Sequence, residues 1–415
     1  MKVLLLTDMA PCTNHTSGLV INKWCDFLLE ENIEIHCALI KNKFIKMDIP
    51  DDKREKIKFY IFEKPNEYWV SNAKRFKNIK GKFKSYCENT KSAKKILPVM
   101  AEKIANYAKN SKIDVIFASI QGQTMTKLVR KVSKLSKIDY VAQTWDPLEW
   151  WMKELKFDPI TYRSNLREFG KVVKKSKNFV AMSWAMAKDF EKRYHKKCLI
   201  NIPSLPIKKF ENLEHRLDRE FSIAFAGQAY AKEELDLLIE TLDDMNWTYK
   251  GKEIVLKLYG PYFEEKHYRN PNIEINGFIK QENLIKELKK CNLLYCPYWF
   301  SKEYKRACKL SFPGKLTTYL TTGVPVLLHG PRYASPIIFA KINNAGYIIN
   351  TNQKELFKKE LINIIKNYNV QIAKNAWKAF STYLTDEQAK TNLLVSLNLL
   401  DKSKIEDFNK LKEYF

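Results

Sequence analysis

The stretch Ser311-Phe-Pro-Gly-Lys-Leu-Thr-Thr-Tyr-Leu-Thr-Thr-Gly-Val-Pro-Val-Leu-Leu-His-Gly330 concentrates residue types that can hold a phosphate. Ser311 suits a helix cap, and Pro313 suits a first turn, where its missing N–H is no loss. Leu316, Tyr319 and Leu320 recur at helical spacing. Gly323 supplies a left-handed stop, and Val324 to Leu328 reads as a buried strand. A helix opening with free N–H groups and Lys315 in its first turn attracts an anion. The competing expectation is an ordinary helix–strand unit with a solvated lysine.

The elements around this stretch alternate. In the first half, strands are expected at Val3–Thr7, Ile33–Leu39, Asp114–Ser119, Tyr140–Gln143 and Asn178–Met182, with helices between them. The linker Asn201-Ile-Pro-Ser-Leu-Pro206 interrupts the pattern, which restarts at Phe221–Ala226, Ile254–Tyr259, Ile273–Ile275, Leu293–Cys296 and Gly346–Ile349. From about Glu355 the chain is expected to be helical. This order predicts an α/β fold with two Rossmann-like domains facing a cleft, ligands lying outside the carboxyl ends of the strands. Boundaries are placed at 1–203, 204–385 and 386–415, the last a helical segment packing back on the first domain.

Composition narrows the class. The chain has 415 residues, 45% of them hydrophobic, enough for two cores. No apolar run is long enough for a membrane span, and Met1–Asp8 reads as a first strand, not a signal peptide. Eight cysteines without a C-x-x-C pair suggest buried, reduced thiols of a cytosolic protein and no metal site. The net charge of +25 favours anionic partners. Its densest segment, Lys74-Arg-Phe-Lys-Asn-Ile-Lys-Gly-Lys-Phe-Lys84, followed by Lys91, Lys94 and Lys95, is expected either as a solvated loop or as a contact with an anionic inner-membrane surface. No zinc finger, RNP motif or basic zipper points to nucleic acid.

The second half ends three strands in glycine, at Gly227, Gly260 and Gly277, where backbone can approach a ligand closely. The order Phe-Ala-Gly227, Leu-Tyr-Gly260, Asn-Gly-Phe278, Cys-Pro-Tyr298 and Ser-Phe-Pro-Gly-Lys315…Tyr319…Thr-Gly-Val-Pro-Val326 resembles the GT-B glycosyltransferases, close to the GT4-type group. The likeness is strong over about 220–330 and architectural over the first half. It implies that the second domain binds a nucleotide sugar. Gly227, Ser311, Pro313, Gly314 and Lys315 would lie at the diphosphate, and Tyr259, Gly260, Phe278 and Ile279 near the base. Thr318 and Leu310 stand where many relatives carry glutamates, the first gripping the ribose. Gln228 replaces a common arginine, and Lys232 is offset from the expected lysine. Lys302, Arg306 and Lys309 are nearby cations able to compensate. Tyr298, Trp299 and Glu303 are expected at the transferred sugar or in a lid.

The same resemblance assigns the acceptor to the first domain. Pro11-Cys-Thr-Asn-His-Thr-Ser-Gly18 would bring Gly18 toward the donor and His15 to an acceptor hydroxyl. In Gln143-Thr-Trp-Asp-Pro-Leu-Glu-Trp-Trp151, Asp146 matches an aspartate of relatives, while Trp145 stands where they have histidine. Trp145, Trp150 and Trp151 can stack on sugars or fill a core. Asp146 or Glu149 is the general base if the reaction inverts configuration. If it retains, as the family does, the donor phosphate takes the proton.

The activity so implied is a metal-independent, retaining glycosyltransferase of hexosyl-transfer type, cytoplasmic or peripheral at the inner membrane, serving capsule or lipooligosaccharide synthesis. Its catalytic set is Asp146, His15 and Lys315, with Trp145, Glu149 and Trp150 at the acceptor. It needs no cofactor beyond its donor substrate, a UDP-sugar first, with GDP- and CMP-sugars open. Three competitors are a transferase fold reduced to a glycan- or lipid-binding module, a CMP-sugar inverting enzyme, and a nucleotide-sugar epimerase.

Overall fold

The computed structural model describes residues 1–67, 78–211, 220–261, 263, 268 and 270–415. The chain divides into two compact units. Unit 1 is Met1–Ile202 with Lys390–Glu413, and unit 2 is Pro203–Ala389 with Tyr414–Phe415.

Unit 1 is built on seven parallel strands in the order β3-β2-β1-β4-β5-β6-β7. These are β1 (Lys2–Thr7), β2 (Glu34–Lys41), β3 (Lys58–Glu63), β4 (Val115–Ser119), β5 (Tyr140–Thr144), β6 (Phe179–Ala181) and β7 (Cys198–Ile200). Val3 to Leu6 are buried on both faces, as a central parallel strand covered by helices must be. Strand β3 escapes the sequence pattern because it lies on the sheet edge, where exposed Lys58, Ile61 and Glu63 alternate with half-buried residues. Strand β7 is short and runs into the proline linker. The second half of the basic segment is helical, not a loop: Asn78 accepts from Gly81 N–H at 2.8 Å and caps the helix Ile79–Lys91. Lys74 to Lys77 lie outside the described residues. The C-terminal segment of this unit packs on the helix Trp184–Tyr194, where buried Trp184 donates from Nε1 to the Phe408 carbonyl at 2.9 Å.

Unit 2 has six parallel strands in the order β11-β10-β8-β12-β13-β14, with a short β9 antiparallel to β10. They are β8 (Glu220–Ala226), β9 (Thr248–Tyr249), β10 (Lys252–Tyr259), β11 (Ile273–Ile275), β12 (Leu293–Pro297), β13 (Val326–His329) and β14 (Tyr347–Ile349). Leu235, Leu238 and Leu242 from the helix Lys232–Asp244 pack with Phe357 and Leu361 from the helix Lys354–Lys366 in one core with β8, β10 and β12. The strand order reverses at β8, between β10 and β12. At such a switch point adjacent helices leave on opposite faces and open a crevice at the carboxyl edge.

Candidate functional site

At the switch point of unit 2 the β8–β12 ladder is short. It pairs Leu293 with Ile223 and Leu294 with Ala224, and then stops. The backbone N–H of Ala226, at the end of β8, is taken by the Tyr319 hydroxyl at 2.7 Å. Tyr319 is fully buried in the helix Gly314–Leu320. Its anchor fixes that helix against β8 and so positions Lys315, one helical turn earlier on the same face.

Lys315 is not solvated freely. Its Nζ lies 3.9 Å from the Phe225 ring centre and 4.6 Å from that of Tyr230, and it donates to the Gln228 carbonyl at 3.2 Å. Among the described residues no carboxylate pairs with it. Desolvation brings its pKa down to about 8. A half-buried cation held by two ring faces and one carbonyl suits an incoming anion.

The three strand-end glycines converge here. Gly227 N–H donates to the Tyr259 carbonyl at 2.7 Å, and Gly260 N–H to the Gly277 carbonyl at 2.8 Å. A Cβ on Gly260, at φ +152°, would stand 2.8 Å from the Gly227 carbonyl oxygen. A Cβ on Gly227, at φ +94°, would face the Lys315 side chain at 3.7 Å. Bare backbone at both positions keeps the cation close to the strand ends.

Other residues expected at the donor fall at varied depths. Tyr259 is buried and Phe278 is 67% exposed, so only the second escapes core packing. Lys232 opens the helix Lys232–Asp244, is exposed, and pairs with Asp236 at 3.6 Å. Thr318 is buried and accepts from Gln281 Nε2 at 3.3 Å, a neutral pair at the position where the resemblance implies a carboxylate. Ser311 does not cap the helix after it. It closes the preceding helix Lys305–Leu310, its N–H donating to the Ala307 carbonyl at 2.8 Å, and Pro313 takes the N-cap position. That helix has seven residues, so its macrodipole is weak, and Lys315 in its first turn supplies a full positive charge there.

An aromatic cluster covers the site. Trp299 donates from Nε1 to the Tyr230 carbonyl at 2.8 Å and stacks on Tyr304 at 5.2 Å. Buried Glu234 accepts from Phe300 N–H at 2.8 Å, and burial raises its pKa. Tyr298 is buried, its hydroxyl donating to the Ser311 carbonyl at 3.3 Å. Phe225, Tyr230, Glu234 and the Tyr319 hydroxyl were not legible as site residues. The available signal was spacing alone: Tyr319 one turn after Lys315, Tyr230 just past Gly227.

In unit 1 the order reverses at β1, beside β4. The loop after β1 is tied down: His15 Nε2 donates to the Lys46 carbonyl at 2.9 Å, which Asn14 also reaches at 2.9 Å. With Nε2 engaged, Nδ1 is the ring nitrogen left for another partner. Gly18 is buried in the helix Thr16–Glu30, where a Cβ would meet Cys12 Sγ at 2.2 Å. Its missing side chain thus has a packing cause. Trp145 stacks on Trp24 at 5.2 Å and donates to Ser119 Oγ at 2.7 Å, so one of its faces is already occupied. Glu149 is buried against the Arg193 guanidinium, which commits its carboxylate to an ion pair. Trp151 packs on Phe157 in the core. Asp146 is half-buried, and its carbonyl accepts from Thr144 Oγ1 at 3.1 Å. Trp150 keeps its indole N–H buried without a hydrogen-bond partner among the described residues.

Residues 239–396 match the family described as glucosyltransferase 3-like, C-terminal domain. A comparison with curated protein sequences finds no match. Among solved structures, sucrose-phosphate synthase from Thermosynechococcus elongatus is similar at a TM-score of 0.70 and 10% identity, over 96% of this chain and 98% of that one. Anabaena Alr3699/HepE in complex with UDP is similar at a TM-score of 0.63 and 13% identity, over 96% and 100%. WaaG, a glycosyltransferase involved in lipopolysaccharide biosynthesis, is similar at a TM-score of 0.60 and 12% identity, over 95% and 99%. The likeness read from the strand-end glycines and the Lys315 helix therefore extends to the fold of nearly the whole chain, which is that of the GT-B glycosyltransferases.

Proposed function

We propose that this protein is a glycosyltransferase that moves a sugar from a UDP-sugar to a glycan or lipid-linked acceptor in bacterial surface polysaccharide synthesis. The observation that carries the proposal is Lys315, a desolvated cation without a carboxylate partner among the described residues, held at the switch point of unit 2 beside Gly227. The match of residues 239–396 to a glucosyltransferase-like domain supports it, as does the UDP complex of HepE.

In this reading the donor diphosphate sits against Lys315, Gly227 and Gly314. The bond from the anomeric carbon to the phosphate oxygen breaks, its electron pair stays on the diphosphate, and Lys315 stabilises that growing charge. The acceptor hydroxyl attacks the anomeric carbon and passes its proton to the departing phosphate. Configuration is retained, and no metal is needed. Unit 1 takes the acceptor: His15 through Nδ1, Asp146 through its carboxylate, Trp150 through its part-exposed ring. Gln281 and Thr318 together replace the ribose carboxylate, with neutral hydrogen bonds in place of charged ones.

The protein acts at the cytoplasmic face of the inner membrane. No helix among the described residues is long and apolar enough to cross a membrane. Ile79 and Phe83, 86% and 67% exposed, lie one turn apart on a helix that also carries Lys80, Lys82 and Lys84. That composition suits an anionic bilayer surface.

Calorimetric titration with UDP, GDP and CMP tests the donor assignment. UDP is expected to bind, and Lys315→Ala to weaken binding and abolish sugar transfer. Full turnover by Lys315→Ala overturns the proposal.

A further inference from the structure

Unit 1 carries a second cationic feature, away from the strand ends. The helix Gly122–Ser136 presents Lys127, Arg130, Lys131 and Lys134 on one face, at i, i+3, i+4 and i+7. Across from them the helix Pro159–Lys175 supplies Ser164 and Glu168. Together they line an open cavity of 430 Å³, within the size range of small-ligand sites. Four cations and one carboxylate line the cavity, and that carboxylate is shared between Arg130 and Lys171; the Glu67 and Asp158 carboxylates also act on Lys127 from outside the lining. Lys127, Lys131 and Lys134 have no ion-pair partner among the described residues. Burial lowers the pKa of Lys127, whose Nζ reaches the Gln123 side-chain oxygen at 3.3 Å.

The cavity is built, not merely charged. Beneath Lys127, a buried polar chain joins three helices. Gln123 donates to Asn89 at 2.8 Å, Asn165 donates to Gln123 at 3.1 Å, and Asn89 donates to Ser85 at 3.0 Å. Asn165 Oδ1 and Ser92 Oγ are buried without hydrogen-bond partners among the described residues. Ser92 opens a π-helical turn, Ser92–Ile96, whose Ala93 borders the cavity. Such turns cost helix hydrogen bonding and are concentrated at functional sites.

We infer that this cavity binds a phosphoryl anion carrying two or more negative charges, as a diphosphate or a terminal phosphomonoester. Three ammonium groups without an ion-pair partner among the described residues share one helix face and match such a charge, and Ser164 adds a neutral donor. The inference is independent of the glycosyl-transfer reading, because every lining residue belongs to unit 1 and none belongs to the donor site.

The test is calorimetric titration of the full chain with inorganic pyrophosphate. Lys315→Ala is the background, so that the donor site does not contribute. Binding is expected to persist in that background and to weaken about tenfold when Lys131→Ala and Lys134→Ala are added, for the loss of two charge-assisted contacts. Both lysines are exposed on a helix, where alanine is a favoured residue. Lys103→Ala with Lys109→Ala, also exposed, makes the same charge change on another helix and is expected to leave the affinity unchanged. Equal weakening by both pairs, or by neither, overturns the inference. Vesicles of phosphatidylcholine with phosphatidic acid distinguish the source. Binding that depends on Lys131 and Lys134 identifies a lipid headgroup, and its absence alongside pyrophosphate binding identifies a soluble phosphate.

Discussion

The ammonium of Lys315 stands 3.9 Å from the centre of the Phe225 ring, with no carboxylate among the described residues to neutralise it. Desolvation holds its pKa at about 8, below the ordinary 10.5. A bound diphosphate favours the charged amine and raises that pKa again, so nucleotide binding takes up a proton near and above pH 8. UDP affinity is expected to be full below pH 8 and to fall by up to about tenfold per pH unit above it. Lys315→Ala should bind more weakly by about 2 kcal/mol and lose this slope. Titrations in buffers of different ionisation enthalpy measure the proton uptake directly. An identical pH profile in Lys315→Ala would refute the assignment.

Three glycines rank by what a side chain would meet. Gly18→Ala sets a methyl 2.2 Å from Cys12 Sγ, and Gly260→Ala sets one 2.8 Å from the Gly227 carbonyl at φ +152°. Each is expected to cost about 2 kcal/mol. Gly277→Ala meets nothing within 4 Å and carries only the strain of φ +62°, about 1 kcal/mol. Urea unfolding followed for each variant checks the order. If Gly277→Ala costs as much as Gly260→Ala, close approach is not the reason for glycine at 260.

His329 sets an acid limit for unit 2. Its Nε2 donates to the Thr351 carbonyl at 2.8 Å, its Nδ1 lies 2.7 Å from the Tyr295 hydroxyl, and burial lowers its pKa to about 4. The folded chain therefore binds fewer protons than the unfolded chain between pH 4 and pH 6.5. This contribution is complete above pH 6.5 and is lost as pH falls toward 4, by about 3 kcal/mol in all. His329→Phe should lower stability at neutral pH yet flatten the acid limb. Denaturation midpoints across that range decide it, and an unchanged slope removes His329 from the account.

The helix Ile79–Lys91 is expected to bind anionic vesicles. Replacing Lys80, Lys82 and Lys84 by glutamate should abolish flotation with phosphatidylglycerol vesicles, since each lysine near such a surface contributes about 1 kcal/mol. Phe83→Ser should weaken it less. Flotation that ignores the charge reversal would exclude this helix as the contact.

Much of the architecture was legible because parallel strands and amphipathic helices write their burial into residue order. Val3–Thr7, Asp114–Ser119 and Phe221–Ala226 announced themselves as apolar runs, and glycine ended the right strands. Edge strand β3 was missed, because half-exposed residues carry no strong period, and the basic helix was masked by its own lysines. Lys315 and Gly227 were legible as a candidate phosphate site through residue type, and the structure places the two side by side. Their company was not. The two rings that hold the Lys315 ammonium, the Tyr319 hydroxyl that replaces the ended β8–β12 ladder, and the Arg193 that occupies Glu149 come from distant segments. Sequence order determines which residues can bury, turn or carry charge. Which of them meet, and therefore which charge stays unpaired and available to a ligand, is decided only when the sheet closes and its helices pack across the strand ends.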